Sequence, residues 1–485
     1  MIKPIRTGGF AALSGRRSFA KSLGLGGAIV AAAATRSYAQ APVASAPIDR
    51  IARDLNAVIS ELPCDDTHCH ALTDHDAQTT PDLFLERVAL SAMPEAAYFP
   101  AGTFQQWRNA TGDAKAALDR QFGIENKLAE IRYHIRESIF LKYLTKELAA
   151  FLRCPPKFET VIGARNERGR NYPKYIGDLF KDVRLANAMI DTGFNEGMTA
   201  PGFRAFEQAI APCNLRSLAR VDTIQAPLLR ENIPFEELES RFTTAIRQNL
   251  DGDANFGYRS WGMKSYLLPR LGLVRPHYDA AVARDSWEQY KNTRGAASTD
   301  REEVQDRGRK LLEYLFTIAL EECMKRDMPM QMHAGDGEAP GVILRRQHPY
   351  YLEEVVRFDR DGVMRMPKLI PIHAGYPLVG EAAWLSHLYT NCYFEISLMN
   401  PVIHQGLARR FCEILEAVPL SKVLFGSDAY HLPEFYWLAG KWGKRYLSQA
   451  LAVYVNEKIL TREEALEGAR MILYKNNRRV YNLPA

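Results

Sequence analysis

The stretch Pro63-Cys64-Asp65-Asp66-Thr67-His68-Cys69-His70 ends a short apolar segment with the pattern Asp-x-His-x-His. In an extended strand, residues two positions apart point to the same face, so Asp66, His68 and His70 project side by side. Two neutral imidazoles on one face supply half of the ligands of a typical divalent-metal site. A single His-x-His also arises by chance in many proteins, so this stretch alone leaves a structural role open.

Three later segments share one form, an apolar run that ends in a ligand-type residue before a turn. They are Met328-Pro-Met-Gln-Met-His333, Lys368-Leu-Ile-Pro-Ile-His373 and Lys422-Val-Leu-Phe-Gly-Ser-Asp428. Ligand-type residues at the carboxyl ends of several strands are typical of the active face of a (β/α)8 barrel. The alternative, unrelated buried polar residues, does not explain why four of only 11 histidines lie at such strand ends.

Eight strand patterns follow one another along the chain, and helical patterns separate most of them. The strands are expected at 63–70, Leu185–Asp191, Leu215–Asp222, Phe256–Tyr266, Met328–His333, Lys368–His373, Cys392–Ser397 and Lys422–Asp428. Strands that alternate with helices form parallel βα units. The sequence therefore predicts an α/β fold, a TIM-like (β/α)8 barrel.

The segment 72–182 carries mainly helical patterns and is far too long for an ordinary βα loop. We expect a large helical insertion after strand one that covers the mouth of the barrel. The predicted organisation is a leader at 1–39, a lead-in helix with the first strand at 40–71, the insertion at 72–182 and the remainder of the barrel at 183–485.

The first 39 residues have the features of a signal peptide. The paired Arg16 and Arg17 precede a mild apolar stretch, and small residues at Ser37 and Ala39 suit a cleavage point, which predicts export by the twin-arginine route to the periplasm or the medium. The apolar stretch Leu23–Ala34 is too short for a stable membrane span.

The leader also accounts for the basic character of the whole chain. It holds six basic residues and no acidic ones, so cleavage would leave 56 of the 62 basic residues against 57 acidic ones, a formal charge of −1. The overall charge of +5 therefore gives no support to nucleic-acid binding.

The histidine pattern and the phrases around it resemble the amidohydrolase superfamily, and more closely its amidohydrolase-2 branch. The phrases are Gly262-Met-Lys264-Ser, Met332-His333-Ala-Gly, His373-Ala-Gly-Tyr376-Pro and Phe425-Gly-Ser-Asp428-Ala-Tyr. They resemble the amidohydrolase domain that is fused to glutamine synthetase in some fungal and plant proteins. The resemblance covers residues 60–480, nearly the whole predicted mature chain.

The resemblance implies roles for the residues at the strand ends. His68, His70, His333 and Asp428 would hold one catalytic metal, and Asp428 would accept a proton from the attacking water. His373 would be either a ligand of a second metal or a group that polarises the substrate or positions water, and the sequence favours the second role. An alanine at position 373 is then expected to keep the metal.

Two further residues are candidates for substrate contact. Lys264 would contact a substrate carboxylate, bridge two metals as a carbamate, or serve a solvated or ion-paired structural role. Arg220 suits recognition of a planar carboxylate, and an internal salt bridge to Asp222 is the alternative.

The function expected from the resemblance is hydrolysis of an amide, a lactone or a related C–N or C–O bond in a small molecule, with carboxylates among the candidate substrates. A metal-dependent nonoxidative decarboxylase or lyase on the same scaffold is the alternative. The ligand set makes zinc the default metal, as one ion or two, and also allows manganese or iron. A homo-oligomer is compatible with the sequence.

Overall fold

A computed structural model describes residues 47–89, 93, 98–100, 102–193, 197–293, 306–335, 344–358 and 367–484. The predicted signal peptide lies outside these residues. The strands are β1 Cys64–Cys69, β2 Leu185–Asp191, β3 Asn214–Arg220, β4 Ser260–Ser265, β5 Met330–His333, β6 Leu369–Ile372, β7 Phe394–Glu395, β8 Ser397–Leu398 and β9 Val423–Leu424. Their number and order follow the eight predicted strands, with the short bridge β8 in addition.

The strands form a ring of parallel neighbours. β1 to β6 pair in sequence order as one sheet, and β7 pairs with β9. A bridge between Leu369 and Cys392 joins β6 to the start of the β7 segment. The chain after β9 returns to β1, where the amide of Thr67 donates to the carbonyl of Phe425 (3.0 Å) and that of Asp428 donates to His68 (2.8 Å). The predicted TIM-like barrel is confirmed.

The bounds of several strands differ from the prediction, and the last strand, Val423–Leu424, ends four residues before Asp428. The third strand ends at Arg220, and Asp222 lies in the first turn of the helix Val221–Leu228, so these residues do not leave one strand on one face. The fourth strand covers only Ser260–Ser265, because a short 3-10 turn occupies Asn255–Gly257.

Helices surround the strands and bury their apolar faces against them. The barrel-side helices are Pro47–Ile59, Ala200–Ile210, Val221–Leu228, Phe235–Asp251, Leu267–Leu271, Ala280–Thr293, Arg309–Lys325, Glu353–Val356, Val379–Leu388, Met399–Val402, Leu407–Ala417, Pro433–Asn456, Arg462–Arg470 and Asn476–Val480. The helix Arg462–Arg470 begins with a capping box formed by Thr461 and Glu464. Among the described residues, no helix combines the length and hydropathy that crossing a membrane requires.

The predicted insertion consists of helices throughout its described part. They are Pro81–Ala89, Thr103–Asn109, Gly112–Phe122, Ile124–Glu137, Ile139–Leu152, Phe158–Gly169 and Tyr172–Asp182. Rings from this segment pack on the helix Pro433–Asn456, with Phe140 against Phe435 and Phe151 against Trp437. The fully buried Arg165 also binds Glu434, with Nε and Oε1 2.7 Å apart. The insertion therefore packs on the helix that follows Asp428, and its extension over the mouth stays a prediction.

Two glycines allow the turns after β5 and β6 to touch. Both have left-handed backbones, with φ 81° at Gly335 and 59° at Gly375. A Cβ atom on Gly335 would lie 2.2 Å from the carbonyl carbon of Gly375, so a side chain there would force two backbone segments apart.

We expect Gly335→Ala to lower the free energy of unfolding by about 2–6 kcal/mol, from ~1–3 for the left-handed backbone and ~1–3 for overpacking. Urea unfolding followed by circular dichroism measures this loss. Gly123→Ala is the matched control, because its φ is 63° but no atom lies within 4 Å of the added carbon. Equal losses in the two variants would contradict the steric explanation.

Candidate metal centre

The first group of ligand-type atoms forms where β1 meets the segment after β9. His68 and His70 direct their Nε2 atoms at the same oxygen, Oδ1 of Asp428, at 3.1 and 3.3 Å. The two imidazoles leave β1 on one face, as the alternation of a strand predicts. Burial, and then the charge of Lys264, lower the pKa of His68 to about 4, so its imidazole is neutral at physiological pH and able to bind a cation.

Asp428 is held as an anion in this group. Burial opposes ionisation, but His373 and the hydrogen bonds from His68 and His70 outweigh it and lower the pKa of Asp428 well below its usual value. The residue has a left-handed backbone with φ 55°, which is uncommon for a residue other than glycine and occurs preferentially at functional sites.

The second group lies at the ends of β5 and β6. Nε2 of His373 lies 3.1 Å from Nδ1 of His333, so both imidazoles reach one place. They do not leave their strands at the same height, however, because His333 is the register partner of Ile372. Burial lowers the pKa of His373 well below its usual value, which keeps this imidazole neutral as well.

These spacings match the geometry of metal ligands. Two atoms that each lie about 2.0–2.2 Å from one ion, at angles of 90–110°, are about 2.8–3.6 Å apart. The contacts of Asp428 with His68 and His70, and that of His373 with His333, all fall in this range. Imidazole nitrogens with a carboxylate oxygen are also a donor set that suits zinc and similar divalent ions, so the residues fit such an ion.

The structure does not gather the four predicted ligands into one set. Ligand atoms of His68, His373 and Asp428 lie within 4.8 Å of one another, and so do those of His68, His70 and Asp191. His333 belongs to neither group among the described residues and contacts His373 instead. The arrangement therefore consists of two adjoining groups, one around Asp428 and one between β5 and β6, and His373 belongs to both.

Lys264 at the end of β4 belongs to the centre. It is 1 % exposed, and its Nζ lies 3.4 Å from Nε2 of His68. Burial, and then the nearby charge of Arg220, lower the pKa of Lys264 to about 8. The solvated structural role considered from the sequence is wrong, because the ammonium group has no access to bulk water.

Arg220 pairs with Asp191 and not with Asp222, the partner considered from the sequence. Its Nε lies 3.0 Å from Oδ2 of Asp191, whereas Asp222 pairs with Arg270 at 3.5 Å. The internal salt bridge to Asp222 is therefore wrong. Burial opposes ionisation of Asp191, but Arg220 and then the histidines outweigh it and lower its pKa to about 2. Sequence reasoning missed Asp191, although it ends the predicted second strand, where a ligand-type residue is itself a signal.

Two buried carboxyl groups, those of Asp66 and Glu395, accept hydrogen bonds from backbone amides of the centre. Glu395 was not among the residues predicted from the sequence. Asp66 accepts hydrogen bonds from the amides of Ser427 (2.9 Å) and His68 (3.3 Å), and burial raises its pKa to about 7. Glu395 on β7 accepts from the amide of His373 (3.1 Å). Burial raises the pKa of Glu395 to about 8, against the hydrogen bonds that it accepts.

Comparisons with known proteins bear on the family and fold of this chain. The sequence model of the family Amidohydro_2 (amidohydrolase) matches residues 273–483, which include His333, His373 and Asp428. Protein fluG of Emericella nidulans is 26% identical over 229 residues, which are 46% of this chain and 25% of that protein. The chain thus spans about a quarter of the length of this curated relative.

Solved structures with the same fold cover most of the chain. A protein assigned as a metal-dependent hydrolase from Lactobacillus casei ATCC 334 has a TM-score of 0.65 and 22% identity, over 88% of this chain and 97% of its own. A uronate isomerase from Thermotoga maritima has a TM-score of 0.54 and 14% identity, over 89% and 97%. At such low identities the likeness concerns the fold.

The family match includes part of the residues that the barrel brings together. It covers three of the strand-end residues, and the barrel brings His68, His70 and Lys264 from outside the matched segment to the same place. The match over residues 273–483 and the shared fold support an assignment of this chain to the amidohydrolase superfamily, amidohydrolase-2 branch, and so to a family of enzymes.

Proposed function

We propose that this enzyme is an exported hydrolase that cleaves an amide, a lactone or a related C–N or C–O bond in a small molecule. The observation that carries the proposal is the convergence of His68 and His70 on one oxygen of Asp428. A divalent ion bound there would act as a Lewis acid and lower the pKa of water towards neutrality.

Asp428 is the proposed general base. It is ionised at neutral pH, and its side chain keeps 12% exposure in a site whose histidines are almost fully buried. Its Oδ2 is the oxygen farther from the His68 and His70 nitrogens, 3.8 Å from Nδ1 of His373. We propose that Asp428 takes a proton from water on the exposed side and passes it to the leaving group.

We further propose that two ions bind, one to His68, His70 and Asp428 and the other to His333 and His373. The contact of 3.1 Å between the last two histidines supports this count, because it has the length of a ligand–ligand edge. Lys264 would join the two groups after its neutral amine adds carbon dioxide and releases a proton to form a carbamate. Its pKa of about 8 makes the neutral amine available for this step.

Metal analysis of the purified mature protein, combined with a substrate panel, tests the function. We expect about two zinc-type ions per chain and hydrolysis of at least one member of a set of amides and lactones with and without a carboxylate. Carbon dioxide release would instead identify a decarboxylase. Interconversion of a uronate, the activity in the name of the Thermotoga maritima relative, would identify an isomerase.

Export is proposed from Arg16 and Arg17. Replacing both arginines by lysine keeps the charge but removes the paired guanidinium groups that the twin-arginine pathway reads. We expect the variant to remain in the cytoplasm, as measured by immunoblotting of cell fractions. The same substitution at Arg6 and Arg36 is the control, and unchanged export of the Arg16/Arg17 variant would exclude this route.

A further inference from the structure

His373 occupies an unusual position for a ligand-type residue. It follows the last residue of β6, and its backbone is left-handed with φ 72°. A residue other than glycine keeps such a conformation only where its surroundings enforce it. The groups that contact its backbone and its ring therefore decide where the imidazole points.

Glu395 on β7 and Ser397 on β8 supply those contacts. Oε2 of Glu395 accepts from the amide of His373 at 3.1 Å and from the hydroxyl of Ser397 at 2.7 Å. The same hydroxyl lies 2.9 Å from Nδ1 of His373. One nitrogen of the ring is thereby occupied on the β7 side, and the other, Nε2, is directed at His333.

Glu395 is built into the barrel wall. Its Oε1 accepts from the amide of Ser397 at 2.8 Å, and the residue is 0 % exposed. A Cβ atom at Gly426 would lie 1.9 Å from this oxygen, so the carboxyl group occupies space that only glycine leaves open. Glu395 therefore links the backbone that follows β6 to that of β8, beside the segment that leads to Asp428.

We propose that Glu395 and Ser397 are positioning residues, which fix the backbone and the ring of His373 so that Nε2 faces the metal-binding group. This inference rests on the metal-dependent function proposed above. Neither residue touches the reacting atoms, and both act through His373. Groups that orient a metal ligand in this way typically change metal affinity by about 10–100-fold when they are removed.

The carboxyl group at position 395 cannot be replaced by an amide without loss. Each of its two oxygens accepts from a backbone N–H group. A glutamine has only one oxygen, so its NH2 group would face an N–H donor in either orientation. Glu395→Gln keeps the shape of the side chain and removes one of these two acceptors.

We would remove the metal from the full chain and titrate it with Zn²⁺ in competition with a coloured chelator. We expect Glu395→Gln and Ser397→Ala to weaken one of two binding steps by about 10–100-fold. The matched control is Asp65→Asn, because Asp65 is also buried on β1 but binds Asn187 and Arg478. This control should lower the melting temperature and leave Zn²⁺ affinity unchanged.

A double-mutant cycle separates positioning from general packing. In a His373→Ala background, we expect Ser397→Ala to have no further effect on the affinity for the remaining Zn²⁺ ion, because the residue through which it acts is absent. Equal losses with and without His373 would overturn the proposal, as would unchanged affinity in both single variants. If Glu395→Gln does not fold, Ser397→Ala still gives the answer. A wild-type chain that binds no Zn²⁺ would instead contradict the proposed function.

Discussion

Asp428→Asn is expected to lower kcat by about 10²–10⁴-fold, the usual effect of losing a general base. The variant keeps the size of the side chain but removes the negative charge at which His68 and His70 both point. It should also bind one ion more weakly, since a carboxylate ligand becomes a neutral amide. Steady-state kinetics and metal analysis of the purified variant measure the two effects.

Asp74→Asn provides the control for this substitution. Asp74 is an exposed carboxylate in the short turn that follows His70, and it is not part of either ligand group. The control should retain wild-type kcat and metal content. An Asp428→Asn enzyme with full turnover would remove Asp428 from the proposed mechanism, whatever its metal content.

His373→Ala is expected to reduce the metal content from two ions to one per chain and to lower kcat by about 10²–10⁴-fold. This expectation reverses the one from the sequence, in which the variant keeps its metal. The reason is the contact of 3.1 Å between His373 and His333, which pairs two ligand-type nitrogens. Elemental analysis after gel filtration, together with kinetics, checks both effects.

The control for His373→Ala is His404→Ala. His404 is likewise almost fully buried, but it packs on Tyr143 and lies 2.8 Å from the hydroxyl of Tyr446. Its loss should cost stability and leave the metal content unchanged. A His373→Ala protein with two ions and low turnover would restore the role of a group that polarises substrate or positions water.

The strand-end residues could be predicted because each follows an apolar run that only a buried strand explains. The shared form of the segments around His333 and His373 was sufficient to place both residues at the active face of the barrel. The sequence could not predict that the two histidines are one residue out of register, with His333 opposite Ile372. Neighbouring strands of a barrel are staggered, and the sequence does not show this stagger.

The supporting residues could not be found in this way. Glu395 lies within Tyr-Phe-Glu-Ile-Ser, where a glutamate usually indicates the solvent face of a strand. Only the pairing of β7 with its neighbours turns this side chain towards the amide of His373. Similarly, the bond between Arg220 and Asp191 depends on the register of β2 and β3, which local residue patterns do not encode.

The closure of the ring between β1 and the segment after β9 has a consequence for how the enzyme matures. His68 and Asp428 are 360 positions apart, yet a backbone hydrogen bond of 2.8 Å joins them. Contacts between such distant positions form late, because they carry a large loop-closure entropy. The group of His68, His70 and Asp428 therefore stays incomplete on the ribosome until nearly nine-tenths of the chain has been synthesised. Binding of the proposed ion by this group would report that the end of the barrel has closed on the first strand.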